Sequence, residues 1–243
     1  MLNSIEKAYF ISKKEFLLLL GIAGAGEVYS FELPRKKDVT SEDMINALYQ
    51  LARKGFIKIE DRPVLNPDIL RIMEIIRYAS LALTVNPKSG NQRICYFDGE
   101  RLAAAELCGD TDQIRIGCMS GQELWEELTG EELLGRTSLE TENDGLLLER
   151  YDEQVRLERE ALLAEPLPPL EEPHDPDEDS PAEKAFWERF DLRRRCVTGR
   201  YRFRRGTINS WILCQEETGI QVLYDSQEER RKLFGRIQEG RQL

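Results

Sequence analysis

Apolar residues recur every three or four positions in some stretches of the chain and every second position in others, and the switches between these periods mark its elements. Phe16–Ala25 is an apolar run entered by Ser12-Lys-Lys-Glu15, the spacing of a capping box, which predicts a helix from about 12 to 21, ended by Gly21. Thr40-Ser-Glu-Asp43 opens a second helix; Met44, Ile45, Leu48, Leu51 and Ala52 keep the helical period and Gly55 closes it. Phe56–Glu60 reads as a short strand. Asn66-Pro67-Asp68 is a cap with proline at the first helical position, and the helix it opens, to about Tyr78, is apolar over most of its girth and therefore central.

From Ala79 the period shortens to two. Strands are expected over 80–85, 92–97, 101–107 and 113–118, with a hairpin turn at Asp98-Gly99, followed by a helix over 120–134 entered by Ser120 and Glu123. A helix over about 145–164 carries Leu147, Leu148, Tyr151, Val155, Leu162 and Leu163. Residues 166–181 hold six prolines among acidic residues, and an extended, solvated linker follows from that composition. Ser180-Pro181-Ala-Glu183 predicts a further helix to about Arg195, with Phe186, Trp187 and Phe190 on its apolar side. Cys196–Arg204 alternates, with Val197, Gly199, Tyr201 and Phe203 on one face and Thr198, Arg200, Arg202 and Arg204 on the other, the pattern of a half-buried strand. Strands over 209–215 and 219–224 and a helix over 225–238 complete the chain.

The order helix, three or four strands, helix thus occurs twice, over 66–134 and 181–239. The expected fold is α+β, with pseudo-duplicated halves of mainly antiparallel sheet flanked by helices and a helical, winged-helix-like N-terminal segment. The expected division is an N-terminal half (1–139), an acidic helix and proline-rich linker (140–183) and a C-terminal half (184–243).

Charge sharpens this division. The 243 residues carry 34 basic and 45 acidic side chains, a net of −11. Residues 140–183 alone hold sixteen acids and three bases, −13, against −4 for residues 1–139 and +6 for 184–243. The acidity belongs to the middle segment and not to the halves. An acidic chain argues against coating nucleic acid or an anionic membrane, and the longest apolar run is about half of the roughly 20 residues that span a bilayer. The N-terminus shows no secretory leader pattern. Five cysteines without metal-ligand spacing are expected to be reduced core thiols, and the expected location is the cytoplasm.

Candidate chemistry is sparse. The one histidine, His174, sits in the proline-rich linker, which removes it as a catalytic base. Gly21-Ile-Ala-Gly24-Ala-Gly26 lacks the Gly-Lys-Ser/Thr of a phosphate loop and follows a helix. The adjacent carboxylate pairs at 126/127, 131/132, 171/172 and 216/217 do not supply the separation a glycosidase needs. Asp110 and Asp112 find no further acidic ligand to complete a calcium loop. No catalytic residue, cofactor or metal is expected, and the chain is read as a non-enzyme. The strongest surface candidate is the basic strand: Arg200, Arg202 and Arg204, with Phe186, Trp187 and Phe190, form a candidate protein-interaction face. It is read as a solvated sheet face or one that meets an acidic protein segment, the chain's own linker among the possible neighbours.

The order of 12–60 is also that of a winged helix, so the alternative function is a DNA-binding regulator using those residues. Its recognition helix, 41–54, would offer Arg53 and Lys54 only at its end and acids at its start, which suits phosphate poorly. The helix entered by Lys-Lys-Glu15-Phe-Leu, the helix ending Leu51-Ala-Arg-Lys-Gly55-Phe-Ile, the long helix opened by Asn66-Pro-Asp-Ile-Leu, and the Thr198-Gly-Arg-Tyr201 strand with two strands and a closing helix after it resemble the EspG-like family, the cytosolic chaperones of type VII (ESX) secretion. The resemblance covers most of the chain outside the acidic linker. It implies a pseudo-twofold fold around an antiparallel sheet, and a protein partner, such as a secretion substrate, kept soluble by binding.

Overall fold

The computed structural model describes residues 8–26, 28–31, 33–34, 38–86, 91–109, 112–129, 145–167, 169–170, 186–206 and 209–238. Eleven strands and six helices lie among them, and the fold is α+β. Contacts group the chain into two compact units, one of residues 1–84, 91–124 and 192–194, the other of residues 85–90, 125–191 and 195–243.

The first unit contains β1 (Tyr9–Ser12), α1 (Lys13–Ile22), α2 (Ser41–Arg53), β2 (Ile57–Ile59), β3 (Pro63–Leu65), α3 (Pro67–Tyr78), β4 (Leu81–Asn86), β5 (Arg93–Asp98), β6 (Arg101–Leu107) and β7 (Gln113–Met119). Its sheet runs in the order β1-β7-β6-β5-β4, and β2 and β3 form a separate hairpin. Helix α3 lies on β5, β6 and β7, burying Ile69, Ile72, Met73, Ile75 and Ile76. Three alanines of β6, Ala103–Ala105, are fully buried, Ala103 and Ala105 on one face of the sheet and Ala104 on the other.

The capping box expected at Ser12 forms, and the start expected at Thr40 is also a capping box. Ser12 Oγ accepts from Glu15 N (3.1 Å) while Ser12 N donates to Glu15 Oε2 (2.6 Å); Thr40 and Asp43 do the same at 3.1 and 3.0 Å. Each capping carboxylate also takes a lysine from the other helix region: Asp43 from Lys14 at 2.7 Å, Glu15 from Lys54 at 2.7 Å. Asn66 caps α3 by accepting from Ile69 N (2.8 Å), with Pro67 next. The β5–β6 turn is shifted by one residue from its expected place. Asp98 pairs with Arg101, so the two loop residues are Gly99 and Glu100, and Gly99 takes the positive φ (61°) that such a turn requires.

The second unit contains α5 (Gly145–Leu163), β8 (Phe186–Asp191), β9 (Cys196–Arg205), β10 (Ser210–Glu216), β11 (Gly219–Tyr224) and α6 (Gln227–Gln238); α4 (Gly121–Thr129) precedes α5. Its strands run in the order β8-β9-β10-β11. Each unit therefore has a four-stranded run closed by a helix, β4–β7 before α4 and β8–β11 before α6. The two runs are not entered alike. The helix expected over 181–195 is replaced by strand β8 over 186–191 and a turn over 192–195, while 180–185 lie outside the described residues. The physical reason is burial. Phe186 through Phe190 are all buried, including Glu188 and Arg189, and a helix of that composition would need one open face. As a strand, β8 pairs Glu188 directly with Arg200, and its aromatics suit a pleated surface.

Two further expectations change. Strand β9 is not half-buried: from Val197 to Phe203 every residue on both faces is buried. The proline-rich segment is not solvated from its start, since Leu167 packs against the core of the second unit; residues 171–181 lie outside the described residues. Short strands β1 and β3, where the sequence pattern shows no strand, are additions. The turn expected at 86–91 and the second half of the helix expected over 120–134 fall largely outside the described residues.

Candidate protein-binding face

Residues directly opposite one another in neighbouring strands share a face of the sheet. In the second unit the register pairs Arg204 with Trp211, Arg202 with Leu213, and Arg200 with Gln215; Trp211 and Leu213 pair in turn with Tyr224 and Val222. Across the other edge of β9, Phe186 pairs with Arg202 and Glu188 with Arg200. One face thus carries Arg200, Arg202, Arg204, Phe186, Glu188, Trp211, Leu213 and Val222. Trp187, opposite Tyr201, and Phe190, opposite Val197, point to the other side. The six residues singled out in the sequence are gathered on β8 and β9 but divided between the two faces. All except Arg204, which is partly buried, are buried within the chain.

The β10–β11 part of the first face is covered by α5 and Leu167 beyond it. Trp211, Leu213 and Val222 form a buried cluster, and Val155, Leu162 and Leu167 pack against it. Polar contacts frame these apolar ones. Trp211 Nε1 donates to Glu158 Oε2 at 2.9 Å, Arg204 pairs with Glu165 at 3.1 Å, and Arg200 Nη1 reaches the Pro169 carbonyl at 3.5 Å. Arg200 is 1% exposed. Its charge is met by Glu188, whose Oε2 accepts from both Nε and Nη2 at 3.0 Å. The acidic neighbour of the arginines is thus supplied by the chain itself. Gly206 makes room for it: a Cβ there would strike the Glu158 carboxylate and come within 3.0 Å of Trp211 Nε1.

The opposite face is packed by α6, which buries Leu233, Phe234 and Ile237. Arg230 lies 5.8 Å from the centroid of the Phe203 ring, held by Asp225, and Trp125 meets Phe234 at 5.7 Å. Polar pairs are buried in this unit as well. Tyr201 Oη donates to Glu216 Oε1 at 2.6 Å, and Arg189 Nε donates to Thr198 Oγ1 at 2.9 Å. Burial, and then the hydrogen bond to Glu216, raise the Tyr201 pKa, so the phenol stays a donor. Burial pushes the Cys214 thiol up to about 12, consistent with a core role.

In the first unit, a cleft of about 330 Å³ lies between β1, α1 and α2, lined by Phe10, Ser12, Glu15, Asp43, Gln50 and Lys54 among others. Its charges are engaged within the chain. Hydrogen bonds from Lys14 and then from Thr40 lower the Asp43 pKa to about 2, and Lys54 Nζ sits between both Glu15 oxygens (2.7 and 2.8 Å) and the Phe10 carbonyl (3.2 Å). The solvent side of α2, which a DNA-reading helix would present, carries Glu42, Ile45 and Tyr49. Among the described residues, no three His, Cys, Asp or Glu side chains are placed to hold a metal ion, and no helix is long and apolar enough to cross a membrane.

The sequence pointed to the arginines, but not to Trp211, Leu213, Val222, Glu158 or Glu165 as their companions. Their signal was present in two separate places: Val155, Glu158 and Leu162 at i, i+3 and i+7 on α5, and the strand partners of the arginines on β10. Neither is readable without the register.

Compared with known proteins, the chain matches no family model and no curated protein. Among solved structures it is similar to EspG5, the type VII secretion system chaperone of Mycobacterium tuberculosis, in its complex with the PE25–PPE41 dimer. The similarity covers 96% of this chain and 94% of that one, with a TM-score of 0.53 at 11% sequence identity. The likeness is one of fold.

Proposed function

We propose that this chain is a non-enzymatic protein-binding chaperone or adaptor, acting in the cytoplasm on a protein partner of the kind that secretion chaperones hold. The observation that carries the reading is the whole-length fold likeness to EspG5, a chaperone seen with a bound protein dimer.

The test is co-expression of the tagged full chain with secreted helical proteins of its own host, followed by size-exclusion chromatography with light scattering. A stoichiometric complex that keeps an otherwise insoluble partner in solution is the expected result. A chain that elutes alone beside every such protein, while native cross-linking gives no stoichiometric adduct, would overturn the reading.

A further inference from the structure

The contact between α5 and the sheet is unequal. Beneath it, Trp211 and Leu213 are each 1% exposed and Val222 3%. On α5 itself no residue from Glu153 to Leu163 is buried; Val155, Glu158 and Leu162 are half-covered, and Leu157 and Leu163 are exposed. Those three sheet residues are covered by Val155, Leu162 and Leu167, whereas residues 153–163 of the helix keep most of their surface in water. A helix integral to a core is buried along a wide stripe, as α3 is with five buried positions in twelve residues. Over residues 153–163, α5 touches its sheet along the narrow stripe of Val155, Glu158 and Leu162 and adds polar contacts at the rim, which is how one protein's helix lies in another's groove.

We propose that α5, together with Glu165, Leu167 and Pro169, is a displaceable internal ligand on the sheet of the second unit. The face beneath it is a docking site for an acidic amphipathic helix of a partner protein, for which α5 stands in. The chemistry of the face defines the occupant. Trp211, Leu213 and Val222 take apolar side chains at i and i+7, Trp211 Nε1 takes a carboxylate at i+3, and Arg204 takes a second carboxylate beyond the helix end. Gly206 leaves space for the first carboxylate and would leave none if it carried a side chain. Tethering gives α5 a high effective concentration, so a partner helix wins only by adding contacts of its own. The proposal rests on the protein-binding reading for the external occupant, but its test uses this chain alone.

Two measurements on the full-length protein decide it. In native-state hydrogen exchange, the amides of residues 153–163 exchange at least ~100-fold faster than those of β9 and β10, through an opening that leaves the strands protected. Exchange of α5 at the same rate and with the same denaturant dependence as β9 and β10 would make it a fixed wall and overturn the proposal. Second, a fluorescein-labelled peptide of residues 145–170 is titrated into wild-type protein and into Glu158→Lys/Glu165→Lys, in which the resident helix is loosened. The peptide should bind the variant at least ~10-fold more tightly than wild type, and more weakly as salt rises. Equal binding to both, or no binding to a variant with native circular dichroism, sinks the docking site. If the variant does not fold, the exchange result decides alone. A chain with no protein partner but an opening α5 removes the proposed function and the external occupant and leaves only the displaceable helix; a closed α5 in a chain with a partner removes this inference and leaves the proposed function.

Discussion

Substituting Gly199 by alanine probes why the Thr198-Gly-Arg-Tyr201 sequence is built as it is. Gly199 lies mid-strand, where glycine ordinarily costs about 0.5–1 kcal/mol relative to alanine, so on backbone grounds alone the change should stabilise. The packing says otherwise. A Cβ at Gly199 would sit 2.5 Å from Tyr201 Oη, 3.0 Å from Cζ and 3.3 Å from Cε2. The ring cannot swing aside cheaply: Tyr201 is fully buried and its hydroxyl is held at 2.6 Å by the buried Glu216. Overpacking of this kind costs about 1–3 kcal/mol, and loosening a hydrogen bond to a charged group about 1.5–3 kcal/mol more. After the backbone gain, the net destabilisation should be about 1.5–5.5 kcal/mol. Urea unfolding followed by circular dichroism reads this as a lowered midpoint at unchanged slope. Because the nearest atom is the hydroxyl, Tyr201→Phe should relieve part of the clash, and the double variant should be more stable than the sum of the singles by about 1–2 kcal/mol. A Gly199→Ala protein as stable as wild type, or strict additivity with Tyr201→Phe, would refute the reasoning.

Three other outcomes are expected. Burial works to raise the Glu106 pKa, but Arg93 (2.9 Å) and Arg115 (2.6 Å) overcome it and hold the carboxyl below its ordinary 4.5. Its contribution is therefore complete above the unfolded value and lost as pH falls through the folded one; thermal melts should show wild type losing stability below about pH 4.5 and Glu106→Gln, already weaker by about 3 kcal/mol at neutral pH, losing less of it there. Lys54→Met should destabilise the protein by about 3 kcal/mol in urea titrations, because it strands the buried Glu15 without its cation; a loss under about 0.5 kcal/mol would show the pair to be solvated. Cys95 and Cys214, both buried with thiols pushed up to about 12, should resist a disulfide reagent at pH 8 in native protein while Cys108, Cys118 and Cys196 react, as peptide mapping would reveal.

Local signals in the sequence carried far where they were chemically self-contained. Ser12 with Glu15, Thr40 with Asp43, and Asn66 with Pro67 each specify a helix start within four residues, and all three form as read. Strand β6 and strand β11 fall where alternation puts them. Reading failed where long-range pairing decides. Phe186, Trp187 and Phe190 have helical spacing, yet Glu188 is worth more opposite Arg200 than on a helix, and nothing local shows that partner twelve residues away. Strand β1 is four residues long and exists through its pairing with β7, more than a hundred residues on. The candidate face was half legible for the same reason. Alternation separated the arginines from Tyr201 and Phe203, but it could not reveal that Glu188 on the next strand and Glu165 beyond α5 meet Arg200 and Arg204 within the chain.

Glu106 has a consequence for how the first sheet finds its alignment. It stands directly opposite Arg93 on β5 and directly opposite Arg115 on β7, so a single carboxylate bridges three strands. If β6 slipped by one residue, Glu106 would turn to the other side of the sheet and part from both guanidinium groups. The alanines around it could slide past their neighbours almost unnoticed, since Ala103, Ala104 and Ala105 offer no shape to distinguish one alignment from the next. The charge triad supplies the discrimination that those small side chains lack, and a misaligned sheet loses two ion pairs at one stroke.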